Sequence, residues 1–209
     1  MEKNSNFTEF FEIVRTITAT NDVDSILKKI GSAAEKLTKT MASSIMLLDD
    51  DKKNLYFKVA SGDKGTILTK LKVPVGEGIA GWVAANKQPL MIQDISVDPR
   101  FTGKIDSESG FRTKSILCVP LIVNDELVGV AEVLNKIDGS NFTENDKAIL
   151  TSLSNFAAVA IVNARNISNQ QNFFANTFEI LTAAFETNDK RFSGHCFRVA
   201  QLSTVIARE

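Results

Sequence analysis

Apolar side chains recur at alternating spacings of three and four along the C-terminal third of the chain, and this repeat limits the possible folds more than any other feature. A 3.5-residue repeat that persists over many turns is typical of a helix with a coiled-coil seam. The seam positions are Leu150, Leu153, Ala157, Ala160, Ala164, Ile167, Gln171, Phe174, Phe178, Leu181 and Phe185. We therefore expect a long helix that pairs in parallel with a second copy, with Gln171 as the polar seam residue that helps to fix register.

A single helix packed on its own domain is the alternative explanation of the repeat. It accounts for positions 150–160, which can pack on the domain that precedes them. It leaves the phenylalanines after residue 165 without cover in a monomer. Uncovered apolar stripes usually mark interfaces, so the sequence favours a homodimer formed through the C-terminal helix.

Composition and charge indicate a soluble protein of a reducing compartment. The 209 residues are 44% apolar and 23% charged with a net charge of −1, which argues against a nucleic-acid partner because such surfaces carry a basic excess. Cys118 and Cys196 lie far apart and form no disulfide framework. The acidic N-terminus does not resemble a signal peptide, and the longest apolar stretches are too short to span a bilayer. We therefore expect a cytoplasmic protein with no membrane contact.

Helical and strand patterns alternate along the rest of the chain. Helical spacing predicts a helix over residues 6–19, a second helix capped by Asn21 or Asp22, and a third that follows the glycine turn at 76–81. Thr143 is expected to cap the last helix. Strands are predicted at residues 42–48, 55–60, 72–75, 89–94, 115–123 and 127–135. This order predicts an α+β fold in which helices flank one mostly antiparallel sheet.

Several stretches of the sequence resemble the GAF domain family. They are SSIMLLD at 43–49, VPVGEGIAGWVAANKQPLMIQD at 73–94 and SILCVPLIVNDELVGVAEVLNK at 115–136. The segment DPRFTGKIDSESGFRTKSILCVPL narrows the resemblance to the cyclic-nucleotide-binding GAF domains of phosphodiesterases and adenylyl cyclases. So does a family motif that reads here Asn135-Lys136, Phe142 and Asp146, with Lys147 where the family has glutamate. The resemblance implies a structural salt bridge between Lys136 and Asp146.

The resemblance also implies a set of ligand-binding positions. They are Ser44, Ala60, Ser61, Ile79, Ala80, Thr102, Asp106, Ser109, Thr113 and Glu132. Ser61 stands where one cyclic-GMP-binding relative has an aspartate, and Thr102 where it has an aromatic side chain. The implied ligand is cyclic AMP or cyclic GMP, and these positions do not decide between them.

Physical chemistry supports a nucleotide pocket at these positions. A cyclic phosphate needs backbone amides or a helix N-terminus, and the turn at 78–81 opens a helix that can present the amides of Ile79 and Ala80. Glu132 lies in a hydrophobic strand, where a lone carboxylate is costly unless it is paired or faces a ligand. Trp82 is interpreted as a core residue. Haem and linear tetrapyrroles are disfavoured because residues 21–165 hold no histidine and only Cys118.

The tail from residue 182 onward resembles the opening of an HD-GYP domain, the bacterial cyclic-di-GMP phosphodiesterase type. Asp189, Gly194, His195, Arg198 and Val199 carry this resemblance. It implies that His195, the single histidine of the chain, is a divalent-metal ligand once the rest of an output domain is present. The alternative is an ordinary histidine near a helix start. One histidine does not complete a metal site, so the 209-residue fragment is expected to have no enzymatic activity and to leave residues 190–209 without packing partners.

These observations divide the chain into four parts. They are an N-terminal helix at 1–20, a GAF sensory domain at 21–165, a signalling helix at 166–187 and the start of an HD-GYP domain at 188–209. The expected function is a small-molecule sensor that controls a downstream phosphodiesterase through a dimeric helix. The alternatives are a GAF module that only dimerises the chain, or a GAF sensor of another small molecule.

Overall fold

The computed structural model describes residues 22–61, 68–188 and 195–207 of the chain. The helix predicted at residues 6–19 lies outside these residues, as does most of the loop that follows the second strand.

Six strands form one sheet, and each pairs antiparallel with its neighbours. The strands are β1 (Thr40–Leu48), β2 (Asn54–Ala60), β3 (Lys72–Pro74), β4 (Leu90–Ile92), β5 (Ile116–Val123) and β6 (Glu126–Lys136). Their order across the sheet is β3-β2-β1-β6-β5-β4. The predicted α+β fold with an antiparallel sheet is therefore confirmed, and each predicted strand is present with its ends shifted by at most two residues.

Helices lie on both faces of the sheet because side chains alternate along each strand. In β1, Ile45 and Leu47 face a core formed with helix α1 (Val23–Thr38) and the first part of helix α4 (Glu144–Asn188). Met46 and Leu48 face a second core on the opposite side. Helix α2 (Gly78–Asn86) packs into this second core, and the short helix α3 (Lys104–Ser109) adds Ile105 to it.

Helix α1 begins where its sequence provides an N-cap. The Asp22 carboxylate accepts hydrogen bonds from the backbone amides of Asp24 and Ser25, both at 3.2 Å. These bonds satisfy two of the amides that a helix start leaves without partners. Of the two caps that the sequence allows, the structure therefore uses Asp22.

The start of α4 is joined to the sheet through a buried ion pair. The Lys136 ammonium lies 3.1 Å from Asp146 and donates a 2.7 Å hydrogen bond to the carbonyl of Thr38, at the end of α1. The side chains of Lys136 and Asp146 are 9% and 6% exposed. Asp146 and Thr143 also form a reciprocal capping arrangement, in which each backbone amide donates to the other side chain. Three elements thus meet at Lys136.

The chain divides into two compact units, residues 1–164 and residues 165–209, and the division falls within helix α4. In the first unit, Leu150, Leu153 and Ala157 are buried in the core beneath the sheet. This first stretch of the predicted seam is therefore part of the core of its own domain. By length and composition α4 is also apolar enough to cross a membrane between Glu144 and Ala184, a test that core helices of soluble proteins pass as well.

The second unit contains the rest of α4 and helix α5 (His195–Ile206). Its described apolar side chains are largely exposed in the single chain, and on α4 they are Ile167, Phe173, Phe174, Phe178, Ile180 and Leu181. On α5, Val199, Leu202, Val205 and Ile206 are exposed in the same way.

Removing the charge of Asp146 should destabilise the domain strongly. An Asp146→Asn substitution keeps the size of the side chain but leaves Lys136 as an uncompensated buried cation, which typically costs about 3–5 kcal/mol. We expect a matching loss in the free energy of unfolding, measured by urea denaturation followed by circular dichroism. Glu144→Gln is the matched control, because Glu144 pairs with Lys147 at the exposed start of the same helix and such pairs contribute at most about 1 kcal/mol. Equal effects of the two substitutions would contradict the importance assigned to the buried pair.

Candidate ligand-binding site

A cavity of about 330 Å³ lies on the face of the sheet that carries α2 and α3. It lies among β1, β2, β3 and β6, the start of α2 and the segment 101–113. Its lining is largely apolar, with Met46, Phe57, Phe101, Ile116 and Leu134 among the residues that form it. Small-molecule sites commonly combine such a lining with a few polar groups that fix the orientation of the ligand.

The structure brings all ten predicted ligand-binding positions to this one cavity. Ser44, Ala60, Ser61, Ile79, Ala80, Thr102, Asp106, Ser109, Thr113 and Glu132 all line it. They come from separate elements that the fold places together. Sequence reasoning missed two lysines that also line the cavity, Lys72 on β3 and Lys104 at the start of α3, as well as Phe101 and Ile105. The sequence places the last three in a segment that reads as a polar loop, and nothing there indicates which side chains turn inward.

Glu132 provides the buried acidic group of the cavity. It lies on the central strand β6 between Ser44 of β1 and Cys118 of β5. The Ser44 hydroxyl donates a 2.8 Å hydrogen bond to its carboxylate. Burial raises the pKa of Glu132 from the usual 4.5 to about 7; the hydrogen bond from Ser44 opposes this rise and the nearby charge of Asp106 adds to it. Glu132 is therefore poised to change its charge near neutral pH.

Cys118 is buried beside Glu132 and does not line the cavity. Burial raises the pKa of its thiol well above the usual 9.0, and the charge of Glu132 adds to the rise. A buried neutral thiol is unreactive, so Cys118 behaves as a packing residue.

Asp106 and Thr113 bond to each other across the segment that borders the cavity. The Asp106 carboxylate accepts one hydrogen bond from the Thr113 hydroxyl and one from the Thr113 backbone amide, both at 2.7 Å. We call this pair the clasp. It ties α3 to the segment that follows this helix, and α3 has a left-handed glycine on each side, Gly103 and Gly110, both with φ of 65°. The two side chains were predicted as separate polar contacts, whereas in the structure each already has a protein partner.

The N-terminus of α2 opens on the cavity without a side-chain cap. Glu77 occupies the cap position and makes no capping hydrogen bond. The first amides of a helix have no intrahelical partners, so those of Ile79 and Ala80 suit an anion in the cavity. Gly81 allows this helix to approach β3, because a Cβ atom there would lie 2.3 Å from the carbonyl oxygen of Pro74.

Trp82 anchors the segment before α3. Its ring packs against the core on the cavity side of the sheet, as the sequence predicts. The guanidinium of Arg100 lies over the ring at 4.9 Å and forms two hydrogen bonds with Asp98, of 2.9 and 2.6 Å. These bonds hold the pKa of Asp98 below its usual 3.8. The stacked Arg100 thus fastens the loop between β4 and α3 to helix α2.

Two other groups of predicted residues remain, the salt-bridge pair and the predicted metal ligand. Lys136 and Asp146 form their ion pair outside its lining. His195 begins α5, and its side chain lies outside the described residues. No group of three or more metal-ligating side chains is found within the described ranges.

Comparison with known proteins identifies the class of the domain. The GAF domain family matches residues 22–161. A dual 3',5'-cyclic-AMP and -GMP phosphodiesterase 11A from Takifugu rubripes is 32% identical over 184 residues, which cover 78% of this chain and 19% of that protein. The chain spans about a fifth of the length of the curated relatives that it matches.

Solved structures show the same fold. The GAF domain of a phosphoenolpyruvate-protein phosphotransferase (ptsP) from Coxiella burnetii aligns with a TM-score of 0.71 at 21% identity, covering 78% of this chain and 96% of that one. A GAF domain/HD domain protein from Geobacter sulfurreducens aligns with a TM-score of 0.60 at 19% identity, covering 71% and 97%.

The raised pKa of Glu132 predicts how stability depends on pH. Between pH 4.5 and about 7 the folded state keeps the proton on Glu132 and the unfolded state loses it, so the free energy of unfolding falls as pH rises. The stabilisation by protonated Glu132 is complete below pH 4.5 and is lost as pH rises to about 7. It amounts to roughly 3 kcal/mol. Urea denaturation from pH 4.5 to 8 should show that, as pH rises, the free energy of unfolding of Glu132→Gln increases by this amount relative to that of the wild type.

Ser44→Ala provides the matched test of the cause. Because the Ser44 hydroxyl favours the ionised carboxylate, its removal should move the titration of Glu132, followed by carboxyl NMR, to higher pH. A titration near pH 4.5 in the wild type, or no upward shift in Ser44→Ala, would contradict the assignment.

Proposed function

We propose that this chain, which belongs to the GAF domain family, is a regulatory sensor that binds a cyclic purine nucleotide in the cavity beside Glu132. The convergence of all ten expected binding positions on one cavity carries the proposal. The similarity to a phosphodiesterase whose name specifies cyclic AMP and cyclic GMP supports the nucleotide class. The family relation itself supports the broader role of a small-molecule sensor.

The chemistry of the cavity fits the parts of such a ligand. The uncapped start of α2 suits the cyclic phosphate, since its amides of Ile79 and Ala80 are free of intrahelical partners. The apolar walls suit a flat purine ring. Glu132 and the clasp provide hydrogen-bonding groups for the polar edges of the sugar or base. Lys72 and Lys104 add positive charge around an anionic ligand.

We also propose that the signal leaves the domain through α4 in a cytoplasmic homodimer. The exposed apolar side chains of its second part provide a surface for a second copy. By resemblance, the tail leads into an HD-GYP-type phosphodiesterase in which His195 would hold a divalent metal. A solved structure of the same fold bears the name GAF domain/HD domain protein, which supports this arrangement of domains.

A ligand-free dimerisation module is the second candidate function. The clasp favours it, because Asp106 and Thr113 satisfy each other without a ligand. The binding experiment below separates the two candidates.

Calorimetry should detect binding of cyclic AMP or cyclic GMP to the chain, and Thr113→Ala should weaken it. The substitution removes a hydroxyl at the cavity and one bond of the clasp, and the loss of one buried hydrogen-bonding partner costs about 1–3 kcal/mol. Ser107→Ala is the control, because Ser107 lies on the same helix as Asp106 but outside the cavity lining. If neither nucleotide produces heat, the module or another ligand becomes the better explanation.

Sedimentation velocity at micromolar concentration should give a dimer. Introducing glutamate at both Phe174 and Phe178 should shift the chain toward monomer, since it places charges on the proposed interface. Asn176→Glu adds charge to an exposed position of the same helix outside the seam and should leave the dimer intact. A monomeric wild-type chain would overturn this part of the proposal.

The 209-residue chain should not hydrolyse cyclic-di-GMP in the presence of manganese, iron or magnesium. An HD-type site needs several histidine and aspartate ligands to hold its metal ions, and the chain has one histidine. Chromatography of the reaction should show no linear product. Metal-dependent turnover that disappears in His195→Ala would show that the tail had been misinterpreted.

A further inference from the structure

We propose that Asn135 is a positioning residue that transmits the state of the ligand cavity to the first turn of α4. The proposal rests on the proposed sensor function and assigns to that site a route of regulation.

The side chain of Asn135 makes three hydrogen bonds with the segment that carries Thr113. Its Oδ1 accepts hydrogen bonds from the backbone amides of Lys114 and Ser115, at 2.7 and 3.1 Å. Its Nδ2 donates to the carbonyl of Arg112 at 2.8 Å. Asn135 is 4% exposed, so these bonds are shielded from water. One side chain therefore fixes the backbone on both sides of Thr113.

Thr113 connects this segment to the cavity. Its amide and its hydroxyl both bond to Asp106, and both residues line the cavity. A ligand that pulls on or displaces the clasp moves the Thr113 backbone. Because Asn135 holds the neighbouring peptide groups, that displacement must either move Asn135 or break its buried hydrogen bonds, which is costly.

Lys136, the next residue, connects Asn135 to α4. Its ammonium bonds to Asp146 in the first turn of α4 and to the end of α1. Asn135 itself has a left-handed backbone with φ of 54°. The path from clasp to helix is thus Asp106, Thr113, Lys114, Asn135, Lys136 and Asp146, in which each step is a hydrogen bond, an ion pair or a peptide bond.

A second tie to the start of α4 bypasses the cavity and provides a matched control. The side-chain amide of Gln93 both accepts from the amide of Phe142 at 2.8 Å and donates to its carbonyl at 3.0 Å. Gln93 does not line the cavity. Loss of the two Gln93 bonds loosens the segment before α4 without interrupting the proposed path.

The test uses two variants of Asn135 in the full 209-residue chain. Asn135→Gly keeps the left-handed backbone without strain and removes all three side-chain bonds. Asn135→Asp keeps the acceptor oxygen for Lys114 and Ser115 and loses the donor to Arg112. It provides a second readout if the glycine variant does not fold.

The measurement is hydrogen–deuterium exchange of residues 144–150, with and without cyclic AMP or cyclic GMP. We expect the nucleotide that binds to change exchange there by about fivefold or more in the wild type and in Gln93→Ala, the lower end of ordinary coupling between sites. In Asn135→Gly the change should disappear while calorimetry still detects binding, and in Asn135→Asp it should be intermediate. An unchanged response in Asn135→Gly would overturn the proposal.

A ligand-free arm keeps this inference distinct from the proposed function. If neither nucleotide binds, the proposed function fails, but Thr113→Val still weakens the clasp by removing its hydroxyl bond and keeping only the backbone one. The substitution should then speed exchange at residues 144–150 in the wild-type background and leave it unchanged in the Asn135→Gly background. Equal effects in both backgrounds would show that the coupling does not pass through Asn135.

Discussion

The pairing of β1 with β6 at the centre of the sheet is the contact on which the rest of the domain depends. Its register places Ser44 opposite Glu132, and it brings Gly129 so close to β1 that a Cβ atom there would lie 2.1 Å from the carbonyl oxygen of Met46. A shift of one residue would exchange the two faces of each strand. Glu132 would then face the core beneath α1 and α4 instead of the cavity. The same register therefore determines both the cores and the acidic group of the site.

Burying the Glu132 carboxylate in this sheet costs free energy of desolvation, which its contacts only partly offset. Ser44 provides one hydrogen bond, and the neighbouring strand offers the apolar Cys118 rather than a second donor. Natural domains retain such groups mainly where they contribute to function. The buried pair of Lys136 and Asp146 differs, because each of these charges has its full partner. The two acids that are buried among the described residues thus have different roles: one joins elements together and the other lines a cavity.

Much of the fold could be predicted from the sequence because helices and strands leave periodic patterns of apolar residues over short stretches of the chain. Strand patterns, the Asp22 cap and the Thr143–Asp146 capping arrangement all depend on residues near each other in the chain. The ten cavity positions came from resemblance, and the fold brings them together. The clasp and the inward-facing Lys104 depend on how segment 101–113 folds over the sheet, which no local pattern determines. The point along α4 at which its apolar side chains pass from buried to exposed could be predicted only roughly. An unbroken repeat does not reveal where the core of one chain ends and an exposed stripe begins.

The two left-handed glycines around α3 affect how fast a bound molecule can leave the cavity. They allow a six-residue helix to swing as one piece about two pivots, and the clasp is the bond that such a swing must break. A molecule that leaves the cavity by the route past α3 would then leave no faster than the clasp opens. Opening of a wall of this kind occurs on timescales of microseconds to milliseconds, which are slow compared with diffusion across the cavity. Along that route, the lifetime of an occupied state would depend on two hydrogen bonds that the protein makes within itself.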